Sequence, residues 1–237
     1  MKNILSFRTP QNIAQNINQK EYGFVLAKKG NINQNMFLLP PIGGLSPIFS
    51  KLIDKIDFEG NIYTIDDIKY SLPLSQLKKI ENGNCTLDYY YKAIDKVFND
   101  GDILAGYSLG CVFASLLAEK LENDNRTVDK CILIDSDLLF ERDYEITTDE
   151  VINEFVCDVE DYPDDFIDKF VEVVRINSKL NYKTPNVNVH ILFLSTWDSL
   201  KDRIAAISSN YDYIIIDSTH KRIIDEDIDK IIKYLGL

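Results

Sequence analysis

The chain has 237 residues, 45% of them apolar and 27% charged, enough to bury a full hydrophobic core and too apolar for a disordered tail or a fibre. Asp and Glu number 38 against 26 Lys and Arg, for a formal charge of −12, and no basic cluster reverses that field locally. Such a surface repels a phosphate backbone and an anionic bilayer, which argues against nucleic acid or a membrane surface as partner.

The first twenty residues carry no sustained apolar run and no small-residue cleavage site, so the expectation is a cytoplasmic protein. Four dispersed cysteines, Cys85, Cys111, Cys131 and Cys157, form no CxxC pair and fit a reducing compartment. With two histidines in the chain, a His-rich metal site is not expected. No stretch approaches the roughly 20 apolar residues of a membrane span.

From Gly23 onward short apolar runs alternate with amphipathic stretches. Gly23–Lys28 and Met36–Leu39 read as strands. After the second comes Leu39-Pro40-Pro41-Ile42-Gly43-Gly44, a turn stiffened by prolines and opened by glycines, in which Ile42 is the first residue after the prolines to own an amide hydrogen. A helical pattern over Pro47–Ile56, a strand over Asn61–Ile65 and a helix over about Leu87–Phe98 follow. The run Ile103–Ala105 then leads into Gly106-Tyr107-Ser108-Leu109-Gly110, and a helical pattern covers Leu109–Leu121, with Val112, Phe113, Leu116, Leu117 and Leu121 on one face. Strand, sharp turn and helix is the setting of a nucleophile elbow. Ser108 would sit in a strained turn, and the glycines two before and two after would avoid collision across it.

The next strand, Cys131–Ile134, is followed directly by Asp135. Asp137 to Arg175 then breaks the alternation, with 14 acidic residues against 3 basic ones and two amphipathic patterns separated by Pro163. This stretch is expected to be a helical insertion, serving as a mobile lid over one end of the sheet. Strands over Val189–Leu194 and Tyr213–Ile216 and a helix over Asp225–Tyr234 complete the chain. Strand–helix alternation with uniformly apolar strands predicts an α/β fold with a mostly parallel sheet.

A serine hydroxyl needs a base. His190 opens a strand and reads as structural, whereas His220 lies four residues beyond Ile216, past a strand's C-terminal end and after Ser108 in the chain. The acid has two candidates at the same sheet edge, Asp135 and Asp198; Asp137 and Asp217 are less well placed. Asp135 is the expected acid, because it begins its loop and is held rigidly, while its rival Asp198 sits four residues out, where Trp197 could pack down and hold the loop. Backbone amides for an oxyanion are expected from Leu109, directly after the serine, and from the Pro40–Gly44 loop.

Together, Phe37–Gly44, Gly106–Gly110 and Asp135-Ser136 after an apolar strand resemble the thioesterase domains of nonribosomal peptide and polyketide synthetases. The resemblance runs from Phe24 to the end and departs from the family pattern at Cys111 and Ser218, where glycines are usual. It implies an α/β-hydrolase fold with a helical lid at about 137–180, in a domain spanning 21–237. The implied activity is release of an acyl or peptidyl chain, by hydrolysis or cyclisation, from the 4'-phosphopantetheine thioester of a carrier protein. Such a domain is a monomer that binds no cofactor of its own, its partner being the acyl or peptidyl carrier protein. The implied catalytic residues are Ser108 and His220, with Ile42 and Leu109 as oxyanion amides. The acid falls on Asp135 for a terminal chain-releasing domain and nearer Asp198 for a stand-alone editing (type II) enzyme. Another α/β-hydrolase esterase with the same chemistry, and a hydrolase-like module that binds without turnover, are the further alternatives. Residues 1–20, through Phe7-Arg8-Thr9-Pro10, resemble the end of a carrier domain and would be a linker or carrier remnant.

Overall fold

A computed structural model describes residues 23–155 and 164–235, so the expectations for residues 1–20, Cys157 and Pro163 lie outside the described residues. The strands in chain order are β1 (Val25–Lys28), β2 (Asn35–Leu39), β3 (Asn61–Thr64), β4 (Asp102–Tyr107), β5 (Val128–Ile134), β6 (Glu141–Asp143), β7 (Lys179–Asn181), β8 (His190–Ser195) and β9 (Tyr211–Ile215). The helices are α1 (Ser50–Lys55), α2 (Leu74–Leu77), α3 (Cys85–Ile94), α4 (Leu109–Asn123), α5 (Thr148–Phe155), α6 (Asp164–Asn177), α7 (Lys201–Ile207) and α8 (Ile228–Leu235). Short 3-10 turns cover Ser46–Phe49 and Ile68–Ser71.

Among the described residues, seven strands form one sheet in the order β1-β3-β2-β4-β5-β8-β9, parallel except for β1 at one edge. This is the mostly parallel sheet, flanked by helices, of an α/β-hydrolase-like fold with helical insertions. The inner strands are apolar throughout because both faces are covered. Phe37, Leu39, Leu104, Leu133, Ile191 and Phe193 face α3 and α4, while Met36, Leu38, Ile103, Ile132, Leu192 and Leu194 face α1 and α8.

Helix α4 is buried on more than the one face its periodicity suggests. Gly110, Cys111, Ala114, Ser115 and Ala118 are enclosed along with Val112, Phe113, Leu116 and Leu117. Small residues on its remaining faces let neighbours approach, and each large apolar side chain buried there contributes about 1.5–3 kcal/mol. The strand ends decide where a site can form. Leu39 pairs with Gly106, Tyr107 with Ile134, and Ile134 with Leu194, so the loops after β2, β4, β5 and β8 leave one edge of the sheet side by side.

The insertion differs from two helices alone. It is closed at its base by β6 and β7, which pair antiparallel as a separate two-stranded sheet, Arg142 opposite Leu180. Three-residue strands are too short to display a period of two, which is why the sequence does not announce them. Above that base, Val151 of α5 and Phe166, Phe170, Val173 and Val174 of α6 bury against Leu45 and Tyr70, with Ile42 packed alongside. The insertion therefore rests on the loop after β2 and the 3-10 turn after β3. No helix of the described residues is long and apolar enough to cross a membrane.

Candidate active site

Ser108 stands between β4 and α4 with φ 55° and ψ −122°, a backbone conformation that non-glycine residues rarely adopt. The surrounding glycines show how such a turn is possible. A Cβ on Gly106 would drive into the backbone of Gly110 and Cys111, and one on Gly110 into the carbonyl of Leu39, all well inside van der Waals contact. The second approach has a further effect: it seats the first turn of α4 directly on the loop after β2. The Ser108 amide donates to the Ile134 carbonyl at 3.0 Å, tying the elbow to the next strand.

His220 Nε2 lies 3.0 Å from Ser108 Oγ, and His220 Nδ1 lies 2.7 Å from Asp135 Oδ2. Asp135 is fully buried at the end of β5, with φ 49°. Its amide donates to the Leu194 carbonyl at 2.8 Å. Its other carboxylate oxygen, Oδ1, accepts from the Thr196 amide at 2.6 Å and from Thr196 Oγ1 at 2.9 Å. Burial alone would penalise this carboxylate, but three donor groups converge on it. They also fix which oxygen faces the imidazole.

Two aromatic rings stack with the His220 ring. Tyr107 stacks on it at 5.1 Å between centroids and 23° between planes, and Trp197 at 5.8 Å and 13°. Tyr107 Oη also donates to the His220 carbonyl at 2.6 Å. Burial, with the Asp135 charge as the second cause, pushes the Tyr107 phenol well up, so it stays a neutral donor.

The other sequence candidates lie elsewhere. Asp198 is exposed in the loop after β8, and its neighbour Trp197 packs on the histidine ring. Asp137 pairs with Arg142 at 2.8 Å, and His190 sits 3.2 Å from Asp212 at the start of β8. Ile42 lies in the loop after β2 and Leu109 opens α4 beside it, and among the described residues neither amide has an acceptor. The sequence alone does not mark Tyr107 or Thr196 as site residues. Tyr107 carried a signal in its place beside the serine, whereas Thr196 becomes relevant only once β5 and β8 are neighbours.

Cys85, Cys111 and Cys131 contribute no group to the path from Ser108 through His220 to Asp135, although Cys111 Sγ donates to the Gly106 and Ile134 carbonyls at 3.2 and 3.4 Å and so helps hold the elbow. Cys111 and Cys131 are buried, and burial pushes both thiols up. Among the described residues no group of three or more His, Cys, Asp or Glu side chains could hold a metal ion.

The thioesterase domain family model matches residues 34–166. No curated protein matches the chain in sequence. Among solved structures, the type II thioesterase BorB from the borrelidin biosynthetic cluster superposes with a TM-score of 0.70 at 10% identity, over 92% of this chain and 98% of its own. The Vlm2 thioesterase domain bound with a dodecadepsipeptide gives 0.64 at 14% identity, over 90% and 96%. The thioesterase domain SrfTE, which cyclises the lipopeptide antibiotic surfactin, gives 0.60 at 19% identity, over 86% and 92%. At these identities the structural likeness speaks for the fold.

Proposed function

This chain belongs to the thioesterase domain family, and on that premise we propose that it is a serine thioesterase. Its substrate is an acyl or peptidyl chain carried as a phosphopantetheine thioester on a carrier protein. The observation that carries the reading is the continuous hydrogen-bonded path from Ser108 Oγ through His220 to the buried Asp135 carboxylate.

The chemistry follows from that path. Asp135 accepts the Nδ1 proton of His220 and leaves Nε2 as the acceptor facing Ser108. Ser108 Oγ attacks the thioester carbonyl carbon while its proton passes to Nε2. Negative charge grows on the carbonyl oxygen, where the free amides of Ile42 and Leu109 stabilise it. Collapse of the tetrahedral species breaks the carbon–sulfur bond, and the departing thiol takes the proton from the imidazolium. In the second half, His220 removes a proton from water, or from a nucleophile tethered to the chain, as it attacks the acyl-Ser108 ester; collapse then breaks the bond from the acyl carbon to Ser108 Oγ, which takes the proton back from His220. Water gives a free acid and an internal nucleophile gives a macrocycle. The stacked faces of Tyr107 and Trp197 suit a ring that becomes a cation in both halves.

Between the two branches of the family, an acid placed directly after β5 supports the terminal, chain-releasing type. The test is Ser108→Ala together with trapping of the acyl group. Loss of release by at least about 10³-fold in a folded variant is expected. Peptide mass mapping should place the acyl or phosphonate adduct on Ser108, and an adduct elsewhere would end the reading. Presenting one acyl group on a carrier protein and on a small thiol tests the partner: equal kcat/KM for both argues for a carrier-independent esterase.

A further inference from the structure

The turn that carries the Ile42 amide is tied down by residues far from it in sequence. The Gly44 amide donates to the Pro41 carbonyl at 2.8 Å, closing the turn and fixing the plane of the Pro41–Ile42 peptide. In a trans peptide the N–H points opposite its carbonyl, so this bond also aims the Ile42 amide. The next three carbonyls are each engaged. Ile42 accepts from Asn177 Nδ2 at 2.9 Å, Gly43 from Tyr70 Oη at 2.7 Å, and Gly44 from the Asp67 amide at 2.7 Å. With its carbonyls committed in this way, the turn cannot rotate a peptide without breaking a bond to a buried partner.

Asn177 is the last residue of α6 and is buried. Its amide nitrogen also donates to Asp67 Oδ2 at 3.2 Å. Both neighbours of that nitrogen are acceptors, so the carboxamide has only this orientation. Its Oδ1 is buried without a hydrogen-bond partner among the described residues. An unsatisfied carbonyl is costly to keep, and what it accompanies is a nitrogen that bridges the turn to Asp67. Asp67 is itself anchored in the interior: Oδ2 pairs with Lys69 Nζ at 2.8 Å, and Lys69 also bonds Thr86 Oγ1. Phe170, two turns of α6 before Asn177, lies so close over Gly43 that a Cβ there would come within 2.8 Å of its ring.

We infer that Asn177 and Tyr70 are positioning residues for the oxyanion turn, so that the Ile42 amide is aimed only when α6 of the insertion is seated. This rests on the thioesterase reading above. Neither residue touches the reacting atoms; each acts by holding a carbonyl of the turn.

The experiment uses the full chain and the variants Asn177→Ala and Tyr70→Phe, with folding checked by thermal melts. Three quantities are compared: kcat and KM on an acyl thioester of a small thiol, the inhibition constant of an alkyl trifluoromethyl ketone, and the affinity of the matching thioether. The ketone forms a tetrahedral oxyanion on serine, whereas the thioether binds without one. The expected result is a loss of about 10- to 100-fold in kcat and in ketone affinity together, somewhat less than the ~10²–10³ for removing an oxyanion donor outright. KM and thioether affinity should stay within about twofold. If Asn177→Ala does not fold, Tyr70→Phe alone carries the test, since it removes one hydroxyl and keeps the ring. A folded variant with normal kcat, or one that loses thioether and ketone binding equally, overturns the inference. Should wild-type protein neither turn over the thioester nor form the ketone adduct on Ser108, the thioesterase reading itself falls and takes this inference with it.

Discussion

Replacing Asp135 by asparagine is a near-isosteric change whose outcome can be worked from the hydrogen bonds around it. The asparagine nitrogen must occupy either the Oδ1 or the Oδ2 site. At Oδ1 it would face two Thr196 donors, the amide at 2.6 Å and Oγ1 at 2.9 Å. The carbonyl oxygen therefore keeps that site and the NH₂ group turns to the site 2.7 Å from His220 Nδ1. A donor there requires Nδ1 to be the acceptor, so the ring proton moves to Nε2 and points at Ser108 Oγ. In that tautomer the base cannot take the serine proton. The expected loss is about 10³–10⁴-fold in kcat/KM, or about 4–5.5 kcal/mol of transition-state stabilisation. Because the two shorter Thr196 bonds, to Oδ1, survive and only the 3.1 Å contact of Thr196 Oγ1 with Oδ2 is lost, the melting temperature should move only slightly, at about 2–4 °C per kcal/mol for a chain of this size. Kinetics on one acyl thioester, with Asp198→Asn as the exposed control, decide the matter. Near-normal release by Asp135→Asn, or a crippled Asp198→Asn, would falsify the tautomer reasoning and move the enzyme toward the stand-alone editing type.

Three further expectations come from the same geometry. Gly110→Ala should destabilise the fold by about 3 kcal/mol or more, because the new methyl meets the Leu39 carbonyl, which is backbone and cannot yield; an unchanged denaturation midpoint would count against the close packing of α4 on the loop after β2. Trp197→Ala removes one of the two rings stacked with His220, and the loss of about 0.5–1 kcal/mol of cation–π stabilisation should lower kcat about two- to fivefold without unfolding; no change in kcat would make the stack incidental. Exposed Cys85 should react with a thiol reagent in the native protein, while Cys111 and Cys131, buried and with thiols raised by desolvation, should react only after denaturation, as peptide mapping can show.

What the sequence by itself determined is what local physics controls. Uniformly apolar strands, the periodicity of Leu109–Leu121 and the glycines flanking Ser108 each act within a few residues, so fold class, elbow and strand order along the chain are legible in the sequence. The glycines illustrate the limit as well. Room across the turn was foreseeable at Gly106, but contact of Gly110 with the Leu39 carbonyl depends on β2 lying beside β4. The two aspartates illustrate it more sharply. Both follow strands, and the sequence favours Asp135 as the partner of His220 only through its place at the first position of its loop. Tertiary structure separates them: pairing of β5 with β8 brings Thr196 onto Asp135, 61 residues away, and buries that carboxylate, while Asp198 is left exposed. The short β6–β7 pair and the bonds from Asn177 to Ile42, 135 residues apart, are likewise products of chain closure. A hydrogen bond between distant segments leaves no period in the sequence, because each partner is an ordinary polar residue until the fold sets it opposite the other.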